Sequence, residues 1–194
     1  MSAERRWDQR HFHLEESTTQ NGGARTIFIE HMTLGTTVPP HFHTRFAETF
    51  DLLSGSISVY SSTTPDLDAL EASVTPLEIG TTSSVEPGVY HKYQVGPEQT
   101  ELRVIITPGD ADFERALMVM NGLHADGKMA GLADSVLLMA VAMDLCDAQL
   151  IGPAAGMLEG VRAEKKDEVM ALKKELLEKY DTEEALKGLL AKFE

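Results

Sequence analysis

The sequence contains almost no cysteine, no excess of basic residues and no long apolar run. Its one cysteine, Cys146, cannot form an intramolecular disulfide, so we expect a reducing, cytoplasmic compartment. The formal net charge of −14 argues against nucleic-acid and anionic-membrane partners, because both bind basic surfaces. In the most apolar window the longest unbroken run is Val136–Met143, far short of the roughly 20 residues that a membrane span needs. A chain of 194 residues suits one domain, or one domain with a helical appendage.

The first 108 residues predict β-structure, and the remainder predicts helices. Short stretches of alternating apolar and polar residues, separated by turn residues such as Pro39-Pro40, are typical of a sandwich or barrel. The predicted strands are Thr26–Leu34, Glu48–Leu53, Ser56–Tyr60, Val74–Ile79, Tyr90–Val95 and Glu101–Thr107. We therefore divide the chain into an N-terminal arm at 1–25, a barrel at 26–108 and a C-terminal helical region at 109–194.

The helical region begins where the apolar period lengthens from two residues to that of a helix. Asp110 or Asp112 is the expected N-cap of a first amphipathic helix. Further helices are predicted over Leu132–Leu150 and Ala154–Tyr180, followed by a last helix that starts at the capping-box pair Asp181 and Glu184 and carries Phe193.

Two histidines and a glutamate carry the clearest chemistry. His41 and His43 are two residues apart, so on an extended strand their imidazoles point to one face. Glu48 begins the next strand and shares a face with Phe50 and Leu52. Burial of a carboxylate there costs several kcal/mol unless the group is paired or bound to a metal. The two nearby imidazoles favour the metal.

His91 is the fourth candidate ligand. It follows the predicted turn Glu86-Pro87-Gly88 and begins a strand that continues with Tyr93 on the same face. Three neutral imidazoles and one carboxylate form a borderline donor set, suitable for one divalent ion of Fe, Mn, Ni, Zn, Co or Cu. Such a set leaves one or two coordination positions for water or substrate, as in a catalytic site.

The spacing of these residues resembles that of the cupin superfamily. Gly35-x5-His41-x-His43-x4-Glu48-x6-Gly55 matches the first cupin motif at every defined position. Residues 80–91 resemble the second motif, with Gly80, Gly88 and His91 in register. Glu86 stands at the usual proline position, with Pro87 one residue later, and Val95 replaces a frequent asparagine. Both departures affect the turn and the following strand, not the metal donors.

The resemblance implies a mainly β fold with an α tail: a single-domain cupin type 2 conserved barrel, that is, a double-stranded β-helix (jelly roll) of six to eight strands. It implies that His41, His43, Glu48 and His91 bind the metal ion inside the barrel. The tail, with Asp112-Phe-Glu-Arg-Ala-Leu and a helix that ends at Leu150-Ile-Gly-Pro153, is similar to that of bacterial quercetin-dioxygenase-like cupins.

Two classes of function remain open from the sequence. The first is a metalloenzyme acting on a small organic molecule, with dioxygenase chemistry favoured over isomerisation or decarboxylation and with Glu48 as ligand and catalytic base. The second is a non-enzymatic cupin that binds a small ligand and has a structural or sensing metal. Fold likeness does not choose between them.

The remaining histidines, the tyrosines and the exposed strand edges give weaker expectations. His11 and His13 are assigned to an N-terminal strand or arm, and His31 to packing beside Ile27 and Ile29 or, alternatively, to the cavity lining. Arg45, Tyr60, Tyr93 and Arg103 are candidate substrate contacts, and Cys146 is a packed small hydrophobe. Edge strands of such barrels are commonly covered by another copy, so we expect a homodimer.

Overall fold

The computed structural model describes residues 11–128 and 135–191. Within these ranges the strands are β1 (His11–Glu16), β2 (Thr26–Met32), β3 (Thr37–Phe42), β4 (Ala47–Ser54), β5 (Ile57–Ser62), β6 (Thr75–Leu77), β7 (Thr82–Val85), β8 (Tyr90–Val95), β9 (Thr100–Thr107) and β10 (Gln149–Leu150). The helices are α1 (Thr18–Asn21), α2 (Leu67–Ala72), α3 (Ala111–Ala125), α4 (Val136–Leu145), α5 (Pro153–Glu164), α6 (Lys166–Tyr180) and α7 (Glu183–Leu190).

The strands form two five-stranded antiparallel sheets. One sheet has the order β1-β2-β9-β4-β7, and the other has the order β10-β3-β8-β5-β6. From β2 onwards the chain passes repeatedly from one sheet to the other, so the two sheets are wound together. This is a double-stranded β-helix followed by C-terminal helices, and it confirms the predicted fold class.

Alternate side chains of each sheet fill the space between the sheets. In the first sheet Phe28, Val104 and Phe50 are neighbours in register across β2, β9 and β4, and all three are buried. In the second sheet Val59 and Tyr93 are paired across β5 and β8 and are also buried. This alternation gives a continuous apolar core with room for polar side chains at selected levels.

The predicted N-terminal arm and the predicted helical region each contribute a strand to the sheets. Strand β1 lies within the predicted N-terminal arm but pairs with β2, with Phe12 opposite Glu30. Strand β10 lies within the predicted helical region but pairs with β3, with Leu150 opposite His41. The sheets therefore extend beyond residues 26–108 in both directions; residues 1–10 of the arm lie outside the described residues.

Within residues 26–108, two strands are not among those predicted, because their sequences have weak strand signals. β3 contains Pro39-Pro40, which predicts a turn, but the structure continues the strand through both prolines with a shift in register against β8 between Val38 and His41. This irregularity accommodates the two prolines, which have no backbone N–H to donate to the neighbouring strand. β7, with the sequence Thr-Ser-Ser-Val, is short, mostly polar and at a sheet edge.

The helices differ from the prediction mainly at their ends. Asp110 is the N-cap of α3, and its side chain accepts a hydrogen bond from the backbone of Phe113. The predicted helix 132–150 ends at Leu145 because the chain turns there into β10, and residues 132–134 lie outside the described residues. The predicted helix 154–180 is two helices that meet at Lys165.

The last helix begins one residue later than predicted. Thr182, not Asp181, is the N-cap of α7, and it accepts from the backbone of Ala185, while Asp181 pairs with Arg115. Phe193 lies outside the described residues. None of the helices in the described ranges is long and apolar enough to span a membrane.

Glu114 fixes the first turn of α3 to the first sheet. Its buried carboxylate accepts from the Ser17 hydroxyl, the Thr18 backbone N–H and the Thr26 hydroxyl, each at 2.7 Å. A buried carboxylate is stable where several donors compensate its lost hydration. The contact ties the helical region to the loop between β1 and β2.

We expect Glu114→Ala to lower the free energy of unfolding by about 3 kcal/mol, because it leaves several buried donors without an acceptor. Urea unfolding measures the loss. Glu183→Ala, which removes an exposed carboxylate in α7, should leave the urea midpoint unchanged. Equal midpoints for Glu114→Ala and the wild-type protein would contradict this role.

Candidate metal centre

The structure brings the four predicted ligands into one cluster between the sheets. His41 lies on β3, and His43 is the first residue after β3. Glu48 lies on β4 and His91 on β8. Each side chain offers a ligand atom, and these atoms all lie within 4.8 Å of one another. All four residues are buried, with 1 to 6% of their surface exposed. The four side chains therefore point to a common place, as the alternation of side chains along a β-strand predicted.

Backbone carbonyl groups orient all three imidazoles. The Nδ1 atom of His41 lies 2.7 Å from the Pro39 oxygen, and that of His91 lies 3.0 Å from the Val89 oxygen. The Nδ1 atom of His43 lies 3.1 Å from the Asp147 oxygen. A carbonyl oxygen only accepts, so each Nδ1 carries a proton and donates. Each Nε2 is thereby left as the metal-binding atom.

The three Nε2 atoms and the Glu48 carboxylate converge. His41 Nε2 is 3.1 Å from His43 Nε2, and Glu48 Oε2 is 3.3 Å from His43 Nε2 and 3.0 Å from His91 Nε2. Lone pairs at such distances repel unless a cation lies among them. In the metal-free protein a proton on His43, whose pKa is raised, can supply this charge, and a bound metal ion would replace it.

The charges in the cluster shift the pKa values of its members. Burial and the neighbouring His91 and His43 hold the pKa of His41 well below its usual value, so this imidazole is neutral. Burial alone would raise the pKa of the Glu48 carboxyl, but His43 and His91 hold it well below its usual range. Burial lowers the pKa of His43, but Glu48 outweighs this and raises it. Neutral His41 and ionised Glu48 are the forms that bind metals.

The donor set fits one divalent ion. Two ligands on opposite sides of an ion with bonds of about 2.1 Å are about 4.2 Å apart, close to the observed spread of ligand atoms. Three nitrogens and one carboxylate oxygen form a set of borderline hardness, which the later first-row transition-metal ions prefer. The cluster is thus consistent with the single metal ion predicted from the sequence.

Asp147 connects the helical region to the ligand His43. Besides the carbonyl contact to His43, its carboxylate accepts from the backbone N–H groups of Thr44 and Arg45 at 2.6 and 2.8 Å. Asp147 is buried, and its φ of 50° is in the left-handed region, which Asp tolerates better than most residues. The segment after α4 therefore holds both the His43 ring and the loop that carries it.

A cavity of about 140 Å³ adjoins the cluster and is lined by residues of both sheets, of α3 and of α4 with the segment that follows it. Apolar side chains form most of its wall, including Phe28, Phe50 and Val104 from the first sheet. The helical region contributes Phe113, Leu117, Met120, Met143 and Cys146. The helices are therefore part of the cavity wall, and Cys146 is buried there.

The other candidate residues divide between the cavity and the outer surface of the sheets. Tyr93 lines the cavity, and its role as a substrate contact stays a prediction. Arg45 pairs with Asp110, Arg103 with Glu15 and Asp51, and the Tyr60 ring packs under Lys92. None of these three lines the cavity. His31 stacks on His11 across β1 and β2 and lies beside Glu101, in agreement with a packing role.

Two residues near the centre were missed from the sequence. Glu30 lies on the inward face of β2 with Phe28 and Met32, and its carboxylate lines the cavity. A carboxylate on an apolar face was the signal that drew attention to Glu48, and it was also present at Glu30. Asp147 had no such signal, because its contacts form across more than 100 residues.

No protein-family model and no curated protein sequence matches the chain. Solved structures do. KdgF from Halomonas sp. is 13% identical, with a TM-score of 0.45 over 54% of this chain and 85% of that one. An uncharacterized conserved protein with a double-stranded β-helix domain from Klebsiella pneumoniae is 19% identical, with a TM-score of 0.43 over 57% and 90%. An RmlC-like cupin from Desulfovibrio desulfuricans is 18% identical, with a TM-score of 0.41 over 52% and 84%.

The strand order itself decides the fold. Two interwound antiparallel sheets enclose three histidines and a glutamate from β3, β4 and β8. The chain has the cupin fold. The comparisons identify no subgroup, so the similarity of the C-terminal tail to that of quercetin-dioxygenase-like cupins stays a prediction.

Proposed function

We propose that this cupin is a metal-dependent enzyme acting on a small organic molecule, with dioxygenase chemistry as the leading reaction type. The observation that carries the proposal is the convergence of three carbonyl-oriented imidazoles and an ionised carboxylate at the wall of an apolar cavity. A bound divalent ion supplies Lewis-acid chemistry there and, if it is redox-active, reactivity towards dioxygen. A phenol or an enediol is the substrate type that such chemistry favours.

The chain's own residues bind and shield the substrate. Phe28, Phe50 and Val104 exclude water from the reacting group, which strengthens electrostatic interactions inside the cavity. Helices α3 and α4 close the space beside the sheets, so access depends on the helical region. Small-molecule sites typically combine such apolar walls with a few polar groups.

Glu48 has two proposed roles, as a metal ligand and as the base that takes a proton from the substrate hydroxyl. Its lowered pKa favours the ligand role, because the carboxylate stays ionised. Transfer of a proton to Glu48 requires the carboxylate to release the metal in part. Glu48→Gln keeps an oxygen donor but cannot accept this proton, so it should lose turnover to a greater extent than metal content.

Metal analysis and oxygen uptake test the proposal together. The purified protein is analysed for Fe, Mn, Ni, Zn, Co and Cu, and oxygen consumption is then followed with catechols, flavonols and diketones. We expect about one ion per chain and oxygen uptake with at least one catechol or enediol. Failure to bind any of these metals would reject the proposal. Bound metal without turnover would favour the non-enzymatic, ligand-binding alternative.

We also propose that the protein is a cytoplasmic homodimer. Single, buried Cys146 suits a reducing compartment. Val74 and Ile79 flank the edge strand β6, and 47% and 65% of their surfaces are exposed, as expected of an edge that another copy covers.

Light scattering should give about twice the chain mass of 21.3 kDa. Ile79→Asp should shift the protein to the monomer, because it places a charge in the proposed contact. Leu34→Asp, in the turn between β2 and β3, is the matched control at an equally exposed apolar residue. A monomeric wild-type mass at every concentration measured would reject the dimer.

A further inference from the structure

Helices, not hydrogen-bonded strands, cover one side of the barrel beside the metal cavity. β1 is the last strand of one sheet and β10 is the last strand of the other, and among the described strands no ladder joins them. Helix α3 packs against β1, where the Asn121 side chain donates to the Phe12 carbonyl oxygen at 3.0 Å. Helix α4 packs against β10, and the two helices pack against each other. The helix pair therefore extends from one sheet edge to the other.

The exposure of the lining residues shows where the cavity opens to solvent. Phe28, Phe50 and Val104, which line it from the first sheet, are at most 3% exposed. Among the described residues that line the cavity, those that are not buried are Val38, Pro39, Met120, Met143 and Leu150. These residues belong to β3, β10, α3 and α4, so the opening lies between the edge of the second sheet and the two helices.

The two sides of this opening differ in how easily they move. Val38, Pro39 and Leu150 belong to β3 and β10, and β3 is hydrogen-bonded to β8 on one side and to β10 on the other. That side cannot widen without loss of backbone hydrogen bonds. Met120 and Met143 form the other side, and an unbranched methionine side chain has three rotatable bonds and adapts to its surroundings. The two methionines therefore set the width of the opening.

We propose that Met120 and Met143 are specificity-determining residues at the entrance of the metal cavity. They select ligands by the bulk of the group that passes between the helices and β3, and the selection acts on the rate of entry. Because all side chains at the opening are apolar, a charged group that passes them loses hydration without compensation, so the entrance favours uncharged molecules. The role in substrate choice rests on the proposed function; the position of the entrance rests on the cavity wall alone.

Thiol modification tests the entrance in the metal-free protein. Cys146 has the only thiol of the chain and lines the cavity. Methyl and benzyl methanethiosulfonate are uncharged, modify a thiol by the same reaction and differ in bulk. Mass spectrometry gives the two rates on chelator-treated protein, and comparing their ratio between variants cancels changes in the reactivity of the thiol itself. We expect Met120→Trp and Met143→Trp each to lower the benzyl-to-methyl ratio at least about tenfold, because the bulkier reagent then enters more slowly.

Met170→Trp is the matched control, since Met170 lies on α6, is 59% exposed and does not line the cavity. It should keep the wild-type ratio. A variant that unfolds admits both reagents, so its ratio rises, which separates unfolding from a narrowed entrance. If circular dichroism shows that neither tryptophan variant at the entrance folds, Met120→Ala decides: in the folded variant the ratio should rise at least about threefold, because the opening is wider.

Cobalt-loaded protein extends the test to ligands that bind the metal. Acetohydroxamic and benzohydroxamic acid have the same metal-binding group, but one has a methyl group where the other has a phenyl ring. Stopped-flow absorbance of the cobalt ion follows their association. Met143→Trp should slow benzohydroxamic acid at least about tenfold and acetohydroxamic acid less than about threefold. Met170→Trp should slow neither.

The outcomes separate the entrance from the metal site. An unchanged thiol-modification ratio in the folded Met120 and Met143 variants, or an equal fall of this ratio in Met170→Trp, would overturn the entrance. Equal slowing of both hydroxamic acids in Met143→Trp would overturn selection by bulk. Failure of cobalt to bind would reject the proposed function only; the thiol-modification ratio would then still decide the entrance.

Discussion

His43→Ala and Glu48→Ala should each abolish tight metal binding. His41, Glu48 and His91 lie on strands and His43 lies directly after β3, and no other His, Cys, Asp or Glu of the described residues belongs to the cluster, so none is placed to take over a lost position. Loss of a partner that only orients a ligand costs about 10–100-fold in affinity, and loss of a ligand itself should exceed the upper end of that range. Metal analysis after dialysis against a weak chelator measures the effect.

His13→Ala is the control for these two variants. The tripeptide His11-Phe12-His13 repeats the pattern of His41-Phe42-His43. His13 is also buried, but it lies on β1 and outside the cluster. We expect wild-type metal content in this variant. Similar metal content in all three variants would show that the ion binds elsewhere.

The metal ligands could be predicted from the sequence because they follow local rules. His41 and His43 needed only strand alternation, and Glu48 needed only its position on an apolar face. His91 is 43 residues from Glu48, but its position after a turn and at the start of a strand is again a local feature. Alternation also predicted most strands of the two sheets.

The remaining parts of the centre depend on contacts that no local pattern records. β10 has two residues and becomes a strand only because β3 offers an unpaired edge. Its formation ends the predicted helix early and places Asp147 beside His43. On β2, His31 shares a face with Ile27 and Ile29, which left the cavity lining open as an alternative to packing, whereas Phe28 and Glu30 are the residues that line the cavity. Both faces of this strand are largely apolar, so alternation did not identify the face that points into the barrel.

Asp147→Asn should weaken metal binding by about 10–100-fold while all four ligands remain in place. The Asp147 carboxylate accepts from the backbone N–H groups of Thr44 and Arg45 through one oxygen, Oδ2, and a neutral amide oxygen replaces these charge-assisted bonds poorly. The loop that carries His43 is then less firmly positioned. Asn is the suitable replacement because it tolerates the left-handed backbone at this residue.

Competition with a chromophoric chelator measures the affinity, and urea unfolding of the metal-free protein separates a loss of stability from a loss of ligand positioning. Asp144→Asn is the control, since Asp144 precedes Asp147 by three residues but is exposed and pairs with Lys173. It should bind metal as the wild-type protein does. Unchanged affinity in Asp147→Asn would show that the strands alone position His43. A loss of metal affinity in Asp147→Asn alone would show that the C-terminal region positions a ligand of the metal centre, although this region lies outside the cupin motifs.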